Sequence, residues 1–161
     1  MSLFQPSSQE NAIKVARLQP EDVLGCAIDR PFELDGFEWP TAEHYYQAMK
    51  YPGRPRADAI RNAATVEQAR KIGRGWFKRP RKDWEKIRTV IMTRAIYTQC
   101  QVHSDFADAL LATGEEDILE VSLYDYFWGI GRDLRGQNQY GKVLMAVRQK
   151  LLSHAKSPTK N

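Results

Sequence analysis

The stretch Trp39-Pro-Thr-Ala-Glu-His-Tyr-Tyr-Gln-Ala-Met-Lys50, written WPTAEHYYQAMK, decides how the chain is read. Thr41 is a strong helix N-cap, because its hydroxyl can accept from an open amide two or three residues on. The spacing predicts a helix from about Ala42 to Lys50, stopped by Pro52 and Gly53. Its first turn carries Glu43 among aromatics. A first-turn glutamate ordinarily complements the helix dipole, so Glu43 has two readings: a capping charge, or an acid poised for chemistry.

Upstream, FELDGFEW (Phe32–Trp39) reads as a hairpin. Asp35-Gly36 is a favoured type I′ pair, and it would set Phe32, Leu34, Phe37 and Trp39 on one face and oppose Glu33 to Glu38. Further back, QPEDVLGCAI (Gln19–Ile28) has Pro20 and two acids, a plausible short helix start. Downstream, Thr65 and Gln68 form a capping box for a helix through VEQARKI that ends at Gly73. Pro80 precedes the longest periodic segment, in which Trp84, Ile87, Ile91 and Ala95 recur at helical spacing. Ser104 can cap DFADALLA, which Gly114 closes. ILEVSL alternates, with Leu119, Val121 and Leu123 on one side of a short strand. A last helix runs from about Tyr140 to Leu152, with Val143, Leu144, Val147 and Leu151 inward. The predicted fold is therefore mainly α (α+β): one multi-helical domain over 1–161 with a small antiparallel hairpin and a short strand. Its core spans about 20–152, and residues 1–12 and 153–161 are expected to be flexible. Alternating β and α runs are missing, which argues against a Rossmann fold.

A chain of 161 residues suits one domain with a real core. No apolar run is long enough to span a bilayer, and MSLFQPSSQENAIK lacks the pattern of a secretory signal. Cys26 and Cys100 match no metal or redox spacing and are expected to be reduced and buried, consistent with a cytoplasmic protein. The net charge is +4. Between Lys71 and Lys86, KIGRGWFKRPRKDWEK carries seven Lys/Arg against two acids, a local surplus of five. Such a cluster suits phosphate, on a small molecule or on nucleic acid, although many basic runs are only solvated surface.

The second informative segment is YDYFWGIGRDLRGQNQYG (Tyr124–Gly141), a long loop rich in glycine and aromatics. Asp125 sits beside Tyr124, Tyr126, Phe127 and Trp128, surroundings that would raise a carboxyl pKa if they bury it. Asn138 can cap the last helix or serve the site. Gly129–Gly131 is not a dinucleotide fingerprint, because the third glycine and the βαβ setting are missing. Glu43 and Asp125 are thus two acids in aromatic company, and glycoside cleavage commonly uses two carboxylates. His44, His103 and His154 have no ligand spacing, so neither a metal nor another cofactor is expected. There is no GxSxG elbow or Walker loop.

The ordered segments DGFEWPTAEHYYQAMK, ARKIGR, KDWEKIRTVIM, LLATG and DYFWGIG followed by GQNQYGKVLMAVR resemble the YbiA-like family, also called the NADAR domain. The resemblance covers about Phe32 to Leu152. It implies an N-glycosidase that cleaves the C1′–N bond of a phosphorylated ribose. The substrate would be a phosphoribosylamino-pyrimidine intermediate of riboflavin synthesis, or ADP-ribosylated guanine in nucleic acid. Glu43 falls on the family's EHY/F glutamate, Trp84 on its central tryptophan, Asp125 and Trp128 on its D-x-x-W-G motif, and Asn138 and Gly141 on its N-x-x-G. On that resemblance Glu43 is the electrostatic stabiliser and general base, while Asp125 orients water or ribose hydroxyls or acts as the acid. Trp84 or Trp128 would stack on the base or serve the core. Tyr46, Lys50 and Asn138 join the substrate-binding set. Arg74 with Lys78, Arg79, Arg81 or Lys82 would hold phosphate.

Two departures stand out. Family members carry a Ser-Asn-Phe stretch before the hairpin, where this chain has LGCAID (Leu24–Asp29), and a lysine of the long helix aligns with Gln99. The competing expectations are a non-catalytic module that binds ADP-ribose or nucleic acid, and a protein-interaction domain.

Overall fold

The computed structural model describes residues 10–75, 77 and 79–157. Its central helix, α1 (Ala42–Ala48), starts where Thr41 dictates. Thr41 is extended (φ −142°, ψ 161°), and its hydroxyl accepts from the His44 N–H at 3.1 Å. All seven residues of α1 are buried, so the helix runs through the core. At 100° per residue it presents three faces. Glu43, Tyr46, Gln47 and Lys50 share one face, Tyr45 and Met49 point the opposite way, and His44 and Ala48 lie between.

The hairpin forms in the expected register. β2 (Phe32–Leu34) pairs antiparallel with β3 (Phe37–Trp39), joining Phe32 to Trp39, Glu33 to Glu38 and Leu34 to Phe37. Asp35 (φ 54°) and Gly36 (φ 81°) take the positive φ values of a type I′ turn. Phe32 and Trp39 are buried, whereas Phe37 stays 48% exposed at the turn end, with the Arg61 guanidinium 4.1 Å from its ring centre.

Two further helices precede the long one. α2 (Pro55–Arg61) opens on Pro55 at its first position, the helix-start signal of RPRADAIR. α3 (Val66–Gly73) is capped by Thr65, which accepts from Gln68 N–H, while the Gln68 side chain accepts from Ala64 N–H, one residue before the standard box. α4 (Trp84–Val102) buries Trp84, Ile91 and Ala95 as predicted. α5 (Ser104–Leu111) corrects one expectation: Ser104 lies inside the helix, and His103 takes the N-cap without a side-chain bond. Gly114 (φ 62°) ends that segment.

Three other expectations are also corrected. β4 (Ile118–Glu120) pairs in parallel with β1 (Ile13–Val15), in the register Ile13–Ile118, Lys14–Leu119 and Val15–Glu120. Its buried residues are Ile118 and Glu120, not the Leu119, Val121 and Leu123 set; Leu123 is 52% exposed. The inward face is set by packing against α6 (Gln139–Lys156), the last helix. Gln19–Ile28 forms turns instead of a helix, because the Asp22 carboxylate captures Ala16 N–H and Leu24 N–H. Finally, α6 extends to Lys156, four residues past the expected end at Leu152. Residues 1–9 and 158–161, included in the expectation of flexible ends, lie outside the described residues. The architecture is mainly α, six helices among the described residues, with two two-stranded ribbons.

Candidate functional site

The first turn of α1 places Glu43 with no exposed surface. Its Oε2 accepts from Arg17 Nη1 at 3.1 Å and lies 3.4 Å from Cys26 Sγ. Its Oε1 accepts from Gln47 Nε2 at 2.8 Å, with Arg70 Nε 3.5 Å away. Glu43 is therefore not a helix-capping charge; it is the centre of a buried polar cluster. Such a cluster is tolerated only when its groups are paired.

Asp125 reaches the same cluster from the far loop. Its Oδ1 accepts from Phe127 N–H (3.1 Å) and Trp128 N–H (2.8 Å), and its Oδ2 from Arg17 Nη2 (3.1 Å). Arg17 thus joins the two acids through one guanidinium, which lies 5.6 Å from the Trp128 ring centre. Burial works against the Arg17 charge, but Glu43, Cys26 and Asp125 outweigh it and hold its pKa above the ordinary arginine value. Asp125 itself is not enclosed by its aromatic neighbours. Its side chain is 28% exposed, and Tyr124 and Tyr126 face outward. It lines a cleft of about 610 Å³ with Arg70, Arg74 and Phe127. Glu43 stands behind that wall.

Beside Glu43, one turn and two turns on, Tyr46, Gln47 and Lys50 continue its face. Lys50 Nζ donates to Gln47 Oε1 at 2.7 Å, so Lys50, Gln47, Glu43, Arg17 and Asp125 form one connected chain of polar contacts. Burial pulls the Lys50 pKa down to about 8 against the raising effect of Glu43, with Arg74, Arg70 and Arg17 adding to the fall. Its ammonium lies 5.6 Å from the Tyr46 ring centre and 5.9 Å from that of Trp84. Tyr46 in turn packs between Trp84 (5.0 Å) and Trp128 (5.3 Å). Both tryptophans are almost fully buried, so in this state they form an aromatic wall of the core and present no open stacking face.

Asn138 sits behind the site. Its side chain accepts from Glu120 N–H and donates to Ile118 carbonyl, so both ends of its amide serve β4. It occupies the N-cap position of α6 with φ 51°, but makes no side-chain cap bond. Arg81 lies elsewhere: it pairs with Asp83 at 2.6 Å and lines a separate recess with Arg54, Arg61 and Arg94. Arg79 gives its carbonyl to Arg54, and Lys82 is exposed. Lys78 lies outside the described residues. Of the two departures, Cys26 falls inside the cluster, where burial and the Glu43 charge push its thiol pKa well up. Gln99 donates to the Arg30 carbonyl away from Glu43.

Several site residues were not singled out in the sequence. Gln47 carried a signal, since it is four residues from Glu43 on one helix face. Arg70 belongs to the ARKIGR motif. Arg17 follows a three-residue strand and carries no local signature. Glu120, fully buried, accepts from Ser122 Oγ at 2.6 Å and from Arg17 N–H at 3.2 Å, and no motif announced it.

A family model described as the NADAR domain matches residues 3–152. The chain belongs to the NADAR domain family. A Nostoc punctiforme relative named as an N-glycosidase is 41% identical over 116 residues, covering 70% of this chain and 74% of that protein. N-glycosidase YbiA of Escherichia coli is 34% identical over 121 residues, covering 75% and 76%. A Zea mays protein named riboflavin biosynthesis protein PYRR, chloroplastic, is 38% identical over 128 residues, 73% of this chain but 20% of that one. Among solved structures, the NMR structure of E. coli YbiA superposes with a TM-score of 0.81 at 28% identity, covering 92% of this chain and 90% of that one. This NADAR chain has no helix among the described residues long and apolar enough to cross a membrane. Among those residues no three or more His, Cys, Asp or Glu side chains are grouped so as to hold a metal ion.

Proposed function

We propose that this NADAR protein is an N-glycosidase that hydrolyses the C1′–N bond of a phosphorylated ribosyl amine. Candidate substrates are a phosphoribosylamino-pyrimidine intermediate of riboflavin synthesis and ADP-ribosylated guanine, free or in nucleic acid. The observation that carries the reading is the junction of Glu43 and Asp125 through Arg17, beside a cleft walled by Arg70 and Arg74. The naming of its curated relatives as N-glycosidases supports the reaction class.

Cleavage of a C1′–N bond builds positive charge on C1′ and O4′ of the ribose. Glu43 is the carboxylate to stabilise that charge and to take a proton from the attacking water. The water oxygen bonds to C1′, the C1′–N pair departs with the base, and Lys50 supplies the proton that the leaving nitrogen needs. A pKa near 8 suits such a donor at neutral pH. Asp125, partly open to the cleft, orients the ribose hydroxyls. Arg70 and Arg74 take the phosphate. Tyr46, Trp84 and Trp128 exclude water from the nitrogen end.

A second reading draws on one observation. Glu43 has no accessible surface in this state, as a non-catalytic module binding ADP-ribose or nucleic acid through the arginine cleft would allow. Incubation with each substrate class, with chromatographic detection of the released base, separates the two. Base release supports the enzyme. Saturable binding without release supports the module.

A further inference from the structure

The face of α1 turned away from Glu43 borders a second cavity. Met49, opposite Glu43 and Lys50 on the helix, joins Trp39 and Ile91 as the apolar side of a recess of about 460 Å³ between the hairpin, α2 and α4. The half-exposed ring of Phe37 forms part of its wall. Four guanidiniums surround it: Arg54, Arg61, Arg81 and Arg94. Asp35 and Asp58 are the only carboxylates among its lining residues, so the lining carries four positive charges against two negative, a surplus of two. None of its lining residues is shared with the cleft at Asp125, and it is the more enclosed of the two.

The charges are not equally satisfied. Arg94 is held by Asp35 at 2.7 Å, Arg61 by Asp58 at 3.0 Å, and Arg81 by Asp83 at 2.6 Å. Arg54 makes no ion pair among the described residues; it donates to the neutral carbonyl of Arg79 at 2.9 Å. Arg54 is also exposed, so it can turn toward a ligand without unpacking the core. The Arg61 side chain is 20% exposed and already lies at the recess, its guanidinium 4.1 Å from the Phe37 ring centre, where it can share a ligand with Arg54 in place. A cavity of this volume falls in the range of small-molecule sites, which run from about 300 to 1,000 Å³ and combine apolar walls with a few placed polar groups. Arginine matches phosphate and carboxylate in a planar, two-point geometry.

We propose that this recess is a second ligand site, for a small planar organic anion. A ring of nucleobase size would pack on Phe37, Met49 and Ile91, and its phosphate or carboxylate would bind Arg54 and Arg61. The site is independent of the hydrolytic reading, since it uses none of the residues assigned to it.

Amide and indole proton NMR of the ¹⁵N-labelled protein tests this with four probes. Adenosine 5′-monophosphate supplies ring and phosphate, orotate supplies ring and carboxylate, and adenosine and inorganic phosphate each supply one part. The Trp39 indole N–H, which donates to the Leu34 carbonyl at 2.9 Å, and the Gly53 amide report from the recess. Adenosine 5′-monophosphate or orotate should shift both signals saturably, and which of them binds more tightly identifies the anion. Arg54→Glu should weaken that binding at least tenfold, and Arg74→Glu, in the other cleft, should leave it unchanged. The proposal is overturned if neither ring-bearing anion shifts these signals. It is overturned equally if inorganic phosphate or adenosine alone binds as well as the combined ligand, or if Arg54→Glu has no effect. The spectrum of Arg54→Glu also reports directly whether this exposed substitution leaves the fold intact.

Discussion

Replacing Arg17 by methionine tests the joint on which the site is built. Methionine keeps much of the side-chain volume, so the cost is electrostatic rather than a cavity. It strips Glu43 Oε2 of its 3.1 Å partner while Glu43 remains without exposed surface, leaving Arg70 at 3.5 Å and, across Gln47, the Lys50 ammonium as its positive neighbours. Removing one member of a buried ion pair typically costs about 3–5 kcal/mol. Asp125 suffers less, because its side chain is 28% exposed and keeps the amides of Phe127 and Trp128. The expected loss for Arg17→Met is therefore about 4 kcal/mol, a large part of the roughly 5–15 kcal/mol total of a domain. Glu43→Gln alone should cost about 1–2 kcal/mol, since Arg17 retains Asp125 and the amide oxygen still accepts from Gln47. In the double variant no charge is left stranded, and the loss should fall to about 2 kcal/mol, a coupling of about 3 kcal/mol or more. Urea unfolding of the four proteins, followed by circular dichroism, measures all of these. Additive costs, or a loss under about 1 kcal/mol for Arg17→Met, would refute a buried, coupled pair.

Lys50→Met should stabilise the protein by about 2 kcal/mol at pH 7 while abolishing base release. The folded pKa near 8 lies below the ordinary 10.5, so the charged lysine opposes folding fully below pH 8, and this penalty fades as pH rises toward 10.5. The stability gap between variant and wild type should close over that window in thermal melts. Asn138→Ala leaves the Glu120 N–H and the Ile118 carbonyl unpaired in the interior and should cost about 2–4 kcal/mol by urea unfolding. Gly141→Ala would press a methyl against the Ile118 carbonyl oxygen, which is backbone and cannot turn aside; a loss of about 3 kcal/mol in the same assay is expected.

The helical frame was legible because its signals are local. Thr41 and Thr65 cap where their side chains predict, and Asp35-Gly36 fixes the hairpin register. The inward face of Ile118–Glu120 was not, since it depends on a parallel partner more than 100 residues away and on Asn138. The site divides in the same way. Glu43, Lys50 and Tyr46 share one helix face, and Asp125 with Trp128 falls in one loop, so their grouping could be read along the chain. Arg17, which joins the two groups, comes from a third segment whose place is set only by tertiary folding. Arg81 shows the converse. It belongs to the basic run of the sequence, yet Asp83 two residues on captures it, and it turns into the recess opposite the acids.

Initial rates of base release by wild type and Glu43→Gln, on ADP-ribosylated guanine and on a phosphoribosylamino-pyrimidine, test the account most directly. The wild type should turn over one of these, and the variant, with its fold checked by circular dichroism, should be slower by about 10²–10⁴. Equal rates in the two proteins, or no release of either base by folded wild type, would contradict it.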